Sequence, residues 1–278
     1  MTLNALITGP TNGIGKATAL TLAQQGYKLF LLCRNRELGQ ALCDEISATP
    51  NAIEPTLLIA DLADFAQIRA AVDEFLSLKQ PLHVLINNAG IVNTQRVIAF
   101  DHEQMFKVNH LGHFLLTQLL LPILKASAPS RIVIVSSGAH AFIKGIQFDD
   151  ISFEHSFSTF PTYGHSKLAN LLMMQSLVHL LKGSGVTVNA LHPGAVASSL
   201  GKNNKVWYAG FISALLKPFF LTPDQGAKTS IHLATNDISS SGGYYYKCKL
   251  TRMKPWAEDH DAAKKLWHLS EEWVAKEH

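Results

Sequence analysis

Cysteine is scarce in this chain: Cys33, Cys43 and Cys248 are the three among 278 residues. An odd number without CxxC spacing favours neither a disulfide framework nor a zinc site, and it fits a reducing compartment, expected to be the cytoplasm. Charge of one sign is lacking too. The formal net charge is +3 and the basic residues are scattered, which argues against a surface that tracks nucleic acid. Long hydrophobic runs are missing as well. The stretch "VWYAGFISALLKPFF" is too short to cross a bilayer, so it reads as a helix over the core or an interfacial contact. The start, "MTLNALITGP", has no basic flank followed by a long apolar segment, so neither a signal peptide nor an anchor is expected. There is no internal repeat, low-complexity tract or Pro/Gly/Ser linker, and hydrophobic content is 47%. One domain over residues 1–278 with a sizeable core is therefore expected.

Histidine, by contrast, is plentiful, at thirteen residues. His110 and His113 in "NHLGHF" have no third ligand at recognisable spacing. No metal is expected, and the histidines read as packing and surface groups.

Short apolar runs alternate with helical patterns: "NALIT", "KLFLLC", "TLLIA", "LHVLIN", "RIVIVSS" and "VTVNALH". Segments long enough for crossover helices separate them, which is the signature of a parallel sheet covered on both faces. The expected fold class is α/β, a doubly wound, mostly parallel sheet. Residues 138–160 and about 198–222 interrupt the alternation after strand ends, where open sheets place ligands, and the second is read as a substrate loop.

The first strand runs into "TGPTNGIGKATALTLAQQG", a turn with Gly9, Gly13 and Gly15 and then a helix. Such a turn lets backbone N–H groups approach a pyrophosphate at the positive end of a helix, with Thr11, Asn12 and Ile14 between the glycines. After the second strand stand Arg34, Asn35 and Arg36 where a site selecting NAD would carry an acid. Guanidinium groups there suit a 2′-phosphate, so NADP(H) is the expected cofactor. Asp61, followed by Leu62, could accept from an adenine amino group or serve equally well as a helix N-cap. "LINNAG" ends the fourth strand with Asn88, Ala89 and Gly90, small enough for a flat cofactor to lie against the backbone.

Ser136 and Ser137 end the fifth strand, and Tyr163 and Lys167 of "TYGHSKLANLL" share a helical face at i and i+4. Tyrosine, with an ordinary pKa of about 10, is a poor base at neutral pH. A lysine cation about 4 Å away at an effective dielectric near 20 offers roughly 4 kcal/mol, enough to lower that value by about three. Tyr163 would then serve as a general acid or base.

"TGPTNGIG", "NNAG", the asparagine of "VNHLGHF", "VSS", "YGHSK" and "HPG" occur in this order in a chain that resembles the short-chain dehydrogenase/reductases. The resemblance implies a single Rossmann domain in which Ser137 orients the substrate carbonyl and Tyr163 transfers the proton. It implies that Lys167 binds the nicotinamide ribose and lowers the tyrosine pKa, and that Asn109 holds a water in a relay to Lys167. Asn88 and Gly90 would line the cofactor, with Pro193 and Gly194 at its nicotinamide end. "GVTVNALHPGAV", "TPDQGAKTSIHLA" and the carboxyl-terminal "SGGYYYKCKLTRMKPWAEDHDAAKKLWHLSEEWV" are similar to the retinol dehydrogenase-like branch, although the amino-terminal anchor of its membrane-bound members is missing. The family's helical faces often dimerise, which leaves a homo-oligomer open, but residues 101–126 and 161–183 show no decisive exposed stripe.

The expected activity is reversible hydride transfer between NADP(H) and a lipophilic carbonyl or alcohol, with Trp207, Tyr208, Phe211, Phe219 and Phe220 in the substrate loop. A nucleotide-binding sensor without turnover and a specialised reductase acting on another apolar substrate are the rival readings.

Overall fold

Alternate side chains of a strand face opposite sides of its sheet, and in this chain both sides are apolar. In β1 (Asn4–Thr8), Ala5 and Ile7 join one core with residues of α1 (Gly13–Gln24) and α2 (Arg36–Ser47). Leu6 points the other way, into the core built by α3 (Phe65–Ser77) and later helices. The computed structural model describes residues 2–196 and 221–276.

The further strands are β2 (Lys28–Cys33), β3 (Thr56–Ile59), β4 (Val84–Asn87), a small hairpin of β5 (Ile98–Ala99) and β6 (His102–Glu103), β7 (Ser130–Val135) and β8 (Val186–Leu191). With β9 (Tyr244–Tyr246) and β10 (Lys249–Thr251), the main sheet has the order β10-β9-β8-β7-β4-β1-β2-β3. All neighbouring pairs in it are parallel except β9 and β10. The six expected strands are all present. The antiparallel edge is additional, and its two connecting residues explain why it was not visible. Lys247 and Cys248 both take positive φ, at 50° and 61°, a hairpin geometry usually announced by Asn-Gly or Asp-Gly.

The strand order reverses between β1 and β4, so a crevice opens at the carboxyl edge beside Thr8 and Asn87. Helices on both faces complete the layers: α4 (Gln104–Phe106), a π-helical turn (Lys107–Leu111), α5 (Gly112–Ala126), α6 (Thr159–Leu180), α7 (Pro223–Thr235) and α8 (His260–Lys276). The faces of residues 101–126 and 161–183 pack against the chain's own α8. His110 bonds Ser270 at 3.1 Å, Phe114 meets Trp267 at 4.8 Å, and Ser176 donates to the Ala263 carbonyl at 3.2 Å. The substrate loop expected at about 198–222, with its five aromatic residues, lies almost wholly outside the described residues.

Candidate active site

The crevice is a groove of about 400 Å³ whose wall runs from the glycine turn to the α6 tyrosine. Gly9, Thr11, Asn12, Gly13, Ile14 and Gly15 form one end, Arg34, Asn35, Leu38, Asp61 and Leu62 a second, and Asn88, Ala89, Gly90, Tyr163, Lys167 and Pro193 the third. Distant sequence segments meet here because every one of them follows the carboxyl end of a parallel strand or lies on α6.

Close backbone approach shapes the turn. A Cβ on Gly15 would collide with the Gly9 carbonyl and stand 2.5 Å from Asn88 Nδ2. Asn12 caps α1 by accepting from Gly13 N at 2.7 Å. Thr8, which the sequence reading passed over, holds the floor. Its hydroxyl accepts from Asn88 N at 2.9 Å and Ala89 N at 3.0 Å, and meets His113 Nε2 at 2.8 Å. Asn88 Nδ2 donates to the Thr8 carbonyl at 2.8 Å, tying the fourth strand end to the turn. A polar residue closing a strand just before a glycine turn was the available signal.

At the second end the two arginines separate. Asn35 caps α2 by accepting from Leu38 N at 2.8 Å, which makes Arg36 the first helical residue and leaves it outside the groove wall. Arg34 lines the groove and reaches Asp61 Oδ2 at 3.9 Å. Of the two roles open to Asp61, the helix cap is excluded. Asp64 caps α3 by accepting from Gln67 N at 3.1 Å, while Asp61 Oδ1 accepts from Ala63 N at 2.9 Å within the preceding turn.

Four expected reacting residues converge. Ser136 is spent on structure, its hydroxyl donating to the Lys167 carbonyl at 2.8 Å. Ser137 is the partner of the Tyr163 phenol, and its Oγ also accepts from Ala139 N at 3.1 Å. Lys167 is buried, with Nζ donating to the Val135 carbonyl at 3.0 Å. Asn109 sits in the π-helical turn, an irregularity that often marks functional sites. Its Oδ1 accepts from Ile91 N at 2.8 Å, and its Nδ2 donates to the Ile91 carbonyl and to Ser166 Oγ, each at 3.0 Å. A Cβ on Gly90 would stand 3.2 Å from Lys167 Nζ and 3.5 Å from Asn109 Oδ1, so this glycine leaves room for both. Gly194, at φ +86°, lies beyond the groove wall and donates to His192 Nδ1 at 3.3 Å.

One expectation needs correction. The Tyr163 pKa is pushed up to about 12 by burial, with the Ser137 bond opposing, rather than lowered by Lys167. The lysine is itself desolvated, which brings its pKa down to about 8, and its Nζ stands 5.7 Å from the phenol ring centre, turned to a carbonyl. The Asn109 amide is held at both ends by protein atoms, with one donor, Ile91 N, on its oxygen. Both nitrogens of His113 are taken up, by Thr8 and the Asn109 carbonyl, whereas His110 meets Ser270 through Nε2 and keeps its Nδ1 buried.

The sequence profile described as short chain dehydrogenase matches residues 3–209, from the first strand past the Tyr163 helix. The chain belongs to the short-chain dehydrogenase family. Mouse retinol dehydrogenase 14 (Mus musculus) is 41% identical over 281 residues, covering 96% of this chain and 84% of the relative. Human retinol dehydrogenase 11 (Homo sapiens) is 41% identical over 268 residues, covering 95% and 83%. A crystal structure of an uncharacterized protein from Mycobacterium Paratuberculosis superposes with a TM-score of 0.80 at 29% identity, covering 99% of this chain and 94% of that one. A short-chain type dehydrogenase/reductase from Mycobacterium marinum, at 22% identity and a TM-score of 0.71 over 87% and 92% of the two chains, shares the fold. Members of this family are oxidoreductases that bind a nicotinamide dinucleotide, and the groove fits one. The crowded glycine turn at the α1 N-terminus leaves backbone N–H groups for a pyrophosphate, and Lys167 and Tyr163 stand at the other end of the wall.

Proposed function

We propose that the chain interconverts a lipophilic aldehyde or ketone and its alcohol with NADP(H). The observation that carries this reading is that Tyr163, with Ser137 as its side-chain partner, and Lys167 line one end of a groove that has the glycine turn at the other. When bound, the dinucleotide supplies or accepts a hydride. In the reducing direction, the Tyr163 hydroxyl gives its proton to the substrate oxygen, and the Ser137 hydroxyl donates a hydrogen bond where negative charge develops. Lys167, which lines the groove beside Gly90, holds a ribose hydroxyl.

Preference for NADP(H) is supported by Arg34, the arginine that lines the groove. An apolar substrate is supported by Phe142 and Phe160, which are 60% and 65% exposed and meet edge to face at 6.1 Å. These two rings sit five residues after Ser137 and three before Tyr163. The sequence similarity to retinol dehydrogenases points to the same substrate class. A reducing compartment, the cytoplasm, is supported by the three unpaired cysteines.

The test is NADPH consumption with a panel of retinal, aliphatic aldehydes and steroid ketones. Wild type should turn over at least one of them, and Tyr163→Phe should lower kcat by about 10²- to 10⁴-fold while binding NADPH as before. NADPH binding without turnover across the panel would favour the sensor instead, and an unchanged kcat in the variant would remove Tyr163 from the chemistry.

A further inference from the structure

The carbonyl of Ser137 faces the imidazole of His140, with Nδ1 at 2.7 Å. A peptide carbonyl can only accept, so Nδ1 carries the hydrogen. His140 is in turn held by Trp256, whose Nε1 donates to the His140 carbonyl at 2.9 Å. We propose that His140 is a positioning residue for Ser137, and that Trp256 and His140 together let the carboxyl-terminal segment set where the serine hydroxyl stands at the Tyr163 phenol. The kinetic consequence rests on the oxidoreductase reading above; the geometry does not.

The surroundings hold the ring in one state. His140 is 5% exposed, and its Nε2 is buried without a partner among the described residues. A proton there would place a cation in an apolar setting. Burial lowers the imidazole pKa, the Ser137 carbonyl opposes that, and the charge of Lys254 lowers it further. The neutral Nδ1–H tautomer is the one that donates to Ser137. Tyr244 stands edge-on to this ring, with centroids 5.3 Å apart at 83°, and its hydroxyl is at the limit of hydrogen-bond reach, 3.5 Å from Nδ1. Its ring stacks at 5.6 Å on His192, the neighbour of Pro193.

Ser137 is thereby constrained at four points: an extended backbone at φ −155° and ψ 154°, a short carbonyl bond from the His140 ring, a longer one from His140 N at 3.3 Å, and Oγ accepting from Ala139 N. What remains is the hydroxyl proton, which faces the Tyr163 phenol and is the group required at the substrate oxygen. Loss of the His140 ring bond leaves the carbonyl with the longer backbone bond from His140 N alone and loosens this peptide, and misplacement of a reacting group by ~1 Å costs about 100-fold in rate.

Asparagine and glutamine separate the hydrogen bond from simple space filling. The amide nitrogen of Asn can stand near Nδ1, whereas that of Gln falls nearer Nε2. His140→Leu should lower kcat by about 10- to 100-fold with the NADPH dissociation constant unchanged. His140→Asn should restore most of the loss, His140→Gln should not, and Trp256→Phe should give a smaller loss of the same kind. Wild-type kcat in His140→Leu, or equal rescue by Asn and Gln, would overturn the proposal. Nitrogen NMR of wild type supplies a measurement independent of turnover and of variant folding. A hydrogen on Nδ1 and a bare Nε2 are expected, and the opposite tautomer would overturn the positioning role. Absence of any turnover by wild type would instead count against the oxidoreductase reading.

Discussion

Desolvation governs the reacting residues. Burial favours the neutral form of both Tyr163 and Lys167, so one pKa rises and the other falls. The i, i+4 spacing put them on one face, but the direction of the lysine Nζ was decided by the Val135 carbonyl, 32 residues away in sequence. Arg34 is a simpler case. Its side chain is 66% exposed and its contact with Asp61 is long, at 3.9 Å, so that pairing contributes little and leaves the guanidinium for a phosphate. Arg34→Ala should raise the KM for NADPH by about 10-fold and leave that for NADH unchanged. An equal effect on both cofactors would end the case for 2′-phosphate recognition.

Elements carry their own electrostatics. Glu103 ends β6 and caps α4, with Oε2 accepting from Phe106 N at 2.9 Å, yet the side chain is fully buried and Oε1 has no partner among the described residues. Burial raises its pKa from 4.5 to about 6 against the pull of the Met105 and Phe106 N–H groups and Arg96. A folded-state value above the unfolded one means that the native chain holds the proton longer. Stability therefore falls as pH rises through that window and stays reduced above it. Glu103→Gln lacks this slope. The stability of the variant relative to wild type should grow by about 2 kcal/mol between pH 4 and pH 7, as read from urea unfolding. A constant difference would show that Glu103 ionises normally. Element patterns also show what a sequence reveals. The six parallel strands were legible because buried strands are unbroken apolar runs, whereas the β9–β10 turn uses Lys247 and Cys248, residues that carry no turn signal.

At the scale of the whole molecule, α8 closes the face that α5 and α6 would otherwise expose. Trp273 meets His102 at 5.2 Å and Phe106 at 5.9 Å, and Phe106 lies in turn 5.4 Å from His165 of α6. The helix thus packs over the elements that hold Asn109 and Tyr163. Trp273→Ala should destabilise the protein by about 3 kcal/mol and lower Tm by roughly 5 to 10 °C. A Tm equal to wild type would show that α8 is dispensable to the core.

The sequence by itself determined the doubly wound sheet and the place of the dinucleotide groove, because periodicity and local spacing are properties of consecutive residues, whereas the roles of Ser137, Tyr163 and Lys167 came from the family resemblance. Only the tertiary structure decided which arginine faces the groove, that Asn109 is bound to Ile91, that Thr8 fastens Asn88 and that Trp256 reaches Ser137 through His140. Each of these depends on where a buried donor finds its acceptor, and that partner comes from another strand end or from the far end of the chain.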